Sequence, residues 1–411
     1  MQTHQLFELA LGLKAPWTVS KIEFSEKDNR LDLWLDFPEG SKFACPVCGQ
    51  GCGVYDTEPR TWRHLNFFQH QTYLHARVPR TDCPQDKIKT VEVPWARSGS
   101  GFTLLMDAFI LALAQHGMTP AQIGRIIDEH DTRVWRVLRH YVDEARARKD
   151  YSEVRAVGMD ETSKARGHQY VTVFMDLGER EIMFVTDGKD AETVKRFRED
   201  LEAHGGKAEN IQEVCLDMSN AFINGVEAYL PEAQMTFDNF HLAQIVSQAV
   251  DEVRRQEQAN HPELAGTRYI WLKNQWNLTE HQTLTLERLR GGHLKTAKAY
   301  LLRNVFQDIF LPGNKDQAPR LLQQWYFWAT HSRITPMIEA AKTIKRHWDG
   351  VLRWFSSRIS NGLLEAMNGL IQSAKRKSRG FRSLRNFTTI IYLIGSNLDF
   401  HLPSMCPTHT K

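Results

Sequence analysis

The stretch from Val154 to Asn239 leaves the chain least freedom in how it folds. VRAVGMDETS, QYVTVFMD and EIMFVTDG are apolar or alternate with period two, and short turn-forming segments separate them. Three strands joined by short turns neighbour one another antiparallel, as a meander. AETVKRFREDLEAHG then reads as an amphipathic helix, opened by Asp190 and closed by Gly205-Gly206. IQEVCLDMS is a buried strand by its apolar run, NAFINGVEAYL a helix, and AQMTFDN a last short strand before a long helix from Phe240. Strands that follow helices return to a sheet in parallel, through crossovers.

The order βββαβαβ matches the ribonuclease-H-like fold. At 411 residues the chain calls for more than one domain, and the fold class expected is multidomain α/β. Residues 1–95 carry short strands, among them LDLWLDF and QTYLHARVPR, around CPVCGQGCG; the turn-rich PWARSGSG marks a boundary. Residues 96–150 read as helices. Residues 151–245 form the first part of the α/β core. Residues 246–350 show only helical patterns, as an all-helical insertion would. Residues 351–411 return to the core and end in a basic tail. No apolar run approaches the roughly 18 residues that span a membrane, so no membrane partner is expected. MQTHQLFELALGLK lacks a basic start and a cleavage site; it reads as an amphipathic helix, and the compartment expected is the cytoplasm.

Asp160 lies in the first strand of the meander and Asp217 at the end of the fourth strand. In this topology those strands are neighbours, which sets the two carboxylates side by side. Such a pair repels unless a cation neutralises it, and Mg2+ suits hard oxygen ligands beside phosphate. In SNGLLEAMN and after it, Asn361, Glu365, Asn368, Gln372 and Lys375 recur in steps of four and three and share one helical face. One acid among amides, followed by Lys375, Arg376, Lys377 and Arg379, suits a metal carboxylate next to a nucleic-acid track. Asp238 and His241, in TFDNFH, open the helix after the last strand. Asp238 reads as its N-cap and His241 as a phosphate-orienting or packed histidine.

Four of the six cysteines cluster near the N-terminus. In a reducing compartment that favours metal over disulfide. Cys45 and Cys48 form a knuckle with zinc-ligand spacing, and Cys83 with Asp86 supplies a second half; Cys52, His64 or His75 are alternative fourth ligands. Cys215 reads as core. Arg60, Trp62, Arg63, His64, His70, His75, Arg77 and Arg80 interleave bases with aromatics, a pattern suited to DNA backbone contact and stacking. MTPAQIGRIIDEHDTRVWRVLRHYVDEARAR holds two helices and a tight turn, a helix-turn-helix candidate. Ala121, Ile123, Ile126 and Ile127 are expected inward on the first helix, and Val134, Trp135, Leu138 and Tyr141 on the second. Arg133, Arg136 and Arg139 form a candidate DNA face.

CPVCG, TWRHLNFFQHQTYLHARVPRTDCP, VPWARSGSGFTLL, VGMDETS, LDMS, TFDNFH and SNGLLEAMN, in this order, resemble the DDE transposases of the ISL3 group of bacterial insertion sequences. The resemblance covers nearly the whole chain. It implies a catalytic triad of Asp160, Asp217 and Glu365 holding two Mg2+ or Mn2+ ions, and a structural Zn2+. It implies cleavage and transfer of double-stranded DNA, with terminal inverted repeats and target DNA as partners. It also implies a homodimer or larger oligomer on DNA and a nucleoid-associated location. Family members usually carry Cys or His where this chain has Asp86. Rival readings are a zinc and helix-turn-helix regulator with a relic catalytic domain, and a structure-selective nuclease.

Overall fold

Alternating burial along the strands builds two separate sheets in this computed structural model, which describes residues 3–165, 167, 169–311, 315–357, 359 and 361–403. Cys406 lies outside the described residues. Contacts divide the chain into two compact units, one running through Ala145 and rejoined by Asp399 and the described residues after it, the other from Arg146 to Leu398.

In the first unit the elements are α1 (Thr3–Ala10), β1 (Thr18–Ser25), β2 (Arg30–Asp36), β3 (Lys42–Ala44), β4 (Gly51–Phe67), β5 (His70–Cys83), β6 (Lys87–Thr90), α2 (Leu104–Gln115), α3 (Pro120–Ile127) and α4 (Asp131–Ala147). The sheet order is β1-β2-β5-β4-β3, with β6 paired to β5. β2 buries Leu31, Leu33 and Leu35 and leaves the residues between them half-buried, as its alternation requires. These leucines meet Trp17, Trp62, Leu74 and Trp95 in one core. Trp95 packs edge-on against Trp17 at 4.8 Å between ring centroids. The segment expected to be a boundary is therefore pinned into the strand core.

Thr119 caps α3 in a capping box with Gln122, and Pro120 occupies its first turn. The turn into α4 is tight: a Cβ on Gly124 would lie 2.6 Å from the Glu129 carbonyl oxygen. Ile123, Gly124 and Ile127 face inward, while Ala121 and Ile126 are exposed, contrary to the sequence expectation. The need for Gly124 against the turn rotates the buried stripe away from them. On α4 Val134, Val137, Leu138 and Tyr141 are buried; Trp135 is half-buried. Asp107 of α2 is wholly buried, accepts the Tyr141 hydroxyl at 2.9 Å and lies 3.5 Å from Arg97 Nε. Burial pushes its carboxyl up to about 6, against the pull of Tyr141 and Arg97.

The second unit contains β7 (Ala156–Ala165), β8 (Gln169–Asp176), β9 (Glu181–Asp187), α5 (Glu192–Ala203), β10 (Glu213–Leu216), α6 (Asn220–Tyr229), β11 (Gln234–Phe237) and α7 (Asn239–Glu257). It continues through α8 (Arg268–Leu272), α9 (Glu280–Arg290), α10 (Lys295–Ile309), α11 (Ala318–Thr330), α12 (Thr335–Arg346), α13 (Trp348–Ser357), α14 (Gly362–Lys377) and α15 (Leu384–Gly395). The sheet order is β11-β10-β7-β8-β9. β7, β8 and β9 form the antiparallel meander, and β10 runs parallel to both β7 and β11. Ala191, not Asp190, sits at the N-cap of α5, with no side-chain cap. From α7 to α13 the described residues form helices and short 3-10 turns. Trp271, Tyr300, Phe306 and Trp325 of this region join Val157, Met159 and Phe174 of the sheet in one continuous core.

β7 divides its side chains by period two. Val157 and Met159 enter that core. Gly158, Asp160 and Thr162 point to the face that carries α14. A Cβ on Gly158 would lie 2.6 Å from Leu364 Cδ1 and 2.9 Å from Leu177 Cδ2. Gly158→Ala is therefore expected to destabilise the protein by about 1–3 kcal/mol in denaturant unfolding, with Leu364→Ala in the same chain restoring part of the loss. Asp107 gives a second prediction. Its folded pKa is raised, so its contribution to stability is complete below the unfolded value and is lost as pH rises through about 6. Thermal melts across pH should show this slope between about pH 4 and 6, and Asp107→Asn should flatten it.

Candidate functional site

The β7–β10 register brings the first two acids together. Glu213 pairs with Ala156 and Cys215 with Gly158, so two residues further on Asp217 comes level with Asp160. Asp160 Oδ1 accepts the Glu161 amide at 2.8 Å, and Oδ2 accepts Asn368 Nδ2 at 2.8 Å. Burial pushes the Asp160 carboxyl up to about 6; the charges of Asp217 and Glu161 add to the shift, while His241 opposes it. Asp217 Oδ1 accepts the Ser219 amide at 2.9 Å at the entrance to α6, so it also serves the cap-like turn there.

Glu365 lies in the first turn of α14, where a carboxylate complements the helix dipole. Asp238 and His241 stand close to it. Burial raises its pKa, the Asp238 charge adds to the shift, and His241 opposes it. The ligand atoms of Asp238, His241 and Glu365 all lie within 4.8 Å of one another. Asp238 is 2% exposed and its side chain accepts the Phe240 amide at 3.5 Å, so it is the N-cap of α7 as expected. It is also part of the carboxylate cluster, a role its cap assignment hides. The signal for the pair is their spacing: positions i and i+3 at a helix start stand on one face.

The polar stripe of α14 lies along β7. Asn361 is fully buried and donates to the Met159 carbonyl at 3.4 Å. Gln372 donates to Thr162 Oγ1 at 2.8 Å and to the Ser163 carbonyl at 2.9 Å, and Lys375 donates to the same carbonyl at 2.6 Å. Asn361, Asn368 and Lys375, residues that the sequence also offered as DNA contacts, therefore fasten the helix to the strand. Arg376, Lys377 and Arg379, past that seam, are exposed.

Residues 157–391 match the DDE transposase model of the ISL3 group. Residues 91–142 match the helix-turn-helix domain of transposase family ISL3, and residues 41–86 the zinc-finger of transposase IS204/IS1001/IS1096/IS1165. The chain belongs to the ISL3 family of transposases. It is 27% identical to the transposase for insertion sequence element IS1557 of Mycobacterium tuberculosis, across 100% of this chain and 98% of that one. It is 26% identical to the transposase for insertion sequence element IS1001 of Bordetella parapertussis, across 92% and 95%.

In this transposase the zinc-finger segment gathers Cys45, Cys48, Cys83 and Asp86. Cys45 Sγ is 3.4 Å and Cys83 Sγ 3.6 Å from Asp86 Oδ2, and Cys48 and Cys83 Sγ are 3.5 Å apart. Zn–S bonds of about 2.3 Å and Zn–O bonds of about 2.0 Å give tetrahedral edges of about 3.8 Å for S···S and about 3.5 Å for S···O. The four residues fit a zinc ion. Of the rival fourth ligands, His64 is engaged with Thr103 and His75 with Thr61 and Asp32, while Cys52 packs beside Cys45 and Cys83 with its Sγ against the Gln50 carbonyl.

The basic residues around this segment are mostly spent within the sheet. Arg63 is 2% exposed and donates to the His64 and Thr72 carbonyls and to Asn66, so it presents no surface to DNA. Burial lowers the His64 pKa to about 4, helped by Arg63, which leaves His64 neutral and half-buried. Neither residue fits the DNA-contact role expected of it. Arg77 pairs with Asp36, Arg80 with Asp56, and Arg60 with Glu58. In the helix-turn-helix segment Arg133 is held by Glu129 and the Gly101 carbonyl, and Arg139 Nε donates to the Trp135 carbonyl. Arg136 is exposed, as is Arg125 on the preceding helix.

Asp86→Ala is expected to lower zinc affinity by at least about 10-fold, as changes around metal sites do. Cys52→Ser should leave zinc content near that of the unmodified protein. Metal analysis of freshly purified protein checks both.

Proposed function

We propose that Asp160, Asp217 and Glu365 are the metal-holding carboxylates of a ribonuclease-H-like core, interrupted between β11 and α14 by an all-helical insertion. The observation that carries this is the register of β7 and β10, which aligns two acids in a partly buried site where burial, with the charges of Asp217 and Glu161 added, pushes Asp160 up to about 6. Carboxylates that are desolvated and close together gain most from a divalent cation. The all-oxygen pair suits Mg2+ or Mn2+. When bound, two such ions supply an activated hydroxyl nucleophile and charge for the leaving oxygen of a phosphodiester.

The chain's own groups do the positioning. The Glu161 amide and the Asn368 amide each engage one oxygen of Asp160, which holds that carboxylate in one orientation with lone pairs to spare. Gln372 and Lys375 hold α14 on the strand, so that Glu365 enters the site from the helix start. Holding reacting groups in place accounts for much of phosphoryl-transfer catalysis.

The substrates in this reading are the element's terminal inverted repeats and a target duplex. The zinc ion held by Cys45, Cys48, Cys83 and Asp86 shapes the strand unit, and the helix-turn-helix segment reads the repeat, with Arg136 and Arg125 as its exposed cations. Arg376, Lys377 and Arg379 line the path of the bound strand. Two copies of the chain, bridging two ends at the nucleoid, complete the assembly. The half-buried Asp160 and Asp217 and the donors that hold Asp160 favour this over a relic catalytic domain. Asp160→Asn should abolish strand cleavage of end-containing DNA while end binding in a mobility-shift assay persists. Full cleavage by that variant would overturn the assignment.

A further inference from the structure

His241 stands among more carboxylates than any cap or packing role needs. It is an electrostatic neighbour of Asp160, Glu161, Asp238 and Glu365, and it opposes the upward shift of each. Its Nε2 is buried and has no hydrogen-bond partner among the described residues. An imidazole nitrogen left in this condition costs free energy unless something else binds it. One of its ring nitrogens and the oxygens of Asp238 and Glu365 lie within 4.8 Å of one another. Three atoms at that limit have their centre about 2.8 Å from each, so small side-chain rotations bring all three to the roughly 2.0–2.4 Å of a metal–ligand bond.

The fold explains how the three meet. β11 ends at Phe237, so Asp238 starts α7 beside the Asp217 strand end. His241 follows one helical turn in, on the same face. Glu365 arrives from the start of α14, delivered by the seam with β7.

We infer that Asp238, His241 and Glu365 form a mixed nitrogen–oxygen metal position, next to an all-oxygen position at Asp160 and Asp217. The inference rests on the reading of Asp160, Asp217 and Glu365 given above. Nitrogen in the ligand set sets the two positions apart chemically. Mg2+ takes oxygen ligands and keeps its waters, whereas imidazole suits divalent transition ions. The mixed position therefore favours a transition ion over Mg2+, and the all-oxygen position does not discriminate in this way.

The test uses Mn2+ as probe on the full-length, zinc-loaded chain without DNA. Electron spin-echo modulation should show nitrogen-14 coupling to bound Mn2+, and His241→Gln should abolish it. Titration should show that His241→Gln weakens one Mn2+ equivalent by at least about 10-fold, with Mg2+ affinity little changed. Mn2+ bound to the unmodified protein without nitrogen coupling overturns the inference, whatever the variant does. So does coupling that survives in His241→Gln. Asp217→Asn separates the two readings. If it leaves every bound ion in place while the nitrogen-coupled ion is present, the all-oxygen reading fails and the mixed position stands. If it removes one ion and no ion couples to nitrogen, the mixed position fails and the catalytic reading stands.

Discussion

The carboxylate cluster depends on how near α14 comes to β7. Gly158 sets the distance, because a side chain there would collide with Leu364. At that distance the amides of Asn361, Asn368 and Gln372 reach the strand, and one of them engages Asp160 directly. A helix whose polar stripe faces a strand would ordinarily bury unsatisfied groups. Here the strand's own carbonyls and side chains accept most of the donors, so polarity becomes the fastening. The same contact carries Glu365 into the site from more than a hundred residues away along the chain.

A second consequence follows for charge. The site gathers Asp160, Asp217, Asp238 and Glu365 with a single histidine among them, and burial makes that concentration of acid costly. The fold holds the carboxylates together by backbone register and helix caps, so they cannot separate to relieve the repulsion. A divalent cation would relieve that conflict.

The strand unit handles charge in the opposite way. Two of its arginines meet acids from neighbouring strands, Arg77 with Asp36 and Arg80 with Asp56, and Arg30 pairs with Asp32 on its own strand. A basic, aromatic-rich run in the chain thus becomes a largely neutralised sheet face, with Trp62 in the core and Arg63 buried beside it. Exposed cations outside these pairs include Arg125 and Arg136 in the helix-turn-helix segment and Lys42, Lys87 and Lys89 near the cysteines.

Periodicity alone determined much of this protein. The βββαβαβ order, the strand at LDLWLDF, the capped helix at Thr119-Pro120 and the shared face of Asn361, Glu365, Asn368, Gln372 and Lys375 were all legible, because each is a local repeat of two or of about 3.6 residues. The pairing of Asp160 with Asp217 was legible too, since a parallel crossover makes their strands neighbours. The tertiary structure decided what those faces touch. Whether an amide stripe meets a strand, whether an arginine is paired, and whether an N-cap aspartate also joins a carboxylate cluster all depend on partners far away in sequence. Asp238 and His241 show the difference most clearly. Locally they are a cap and a helix residue; only the arrival of Glu365 from α14 gathers the three side chains within 4.8 Å of one another.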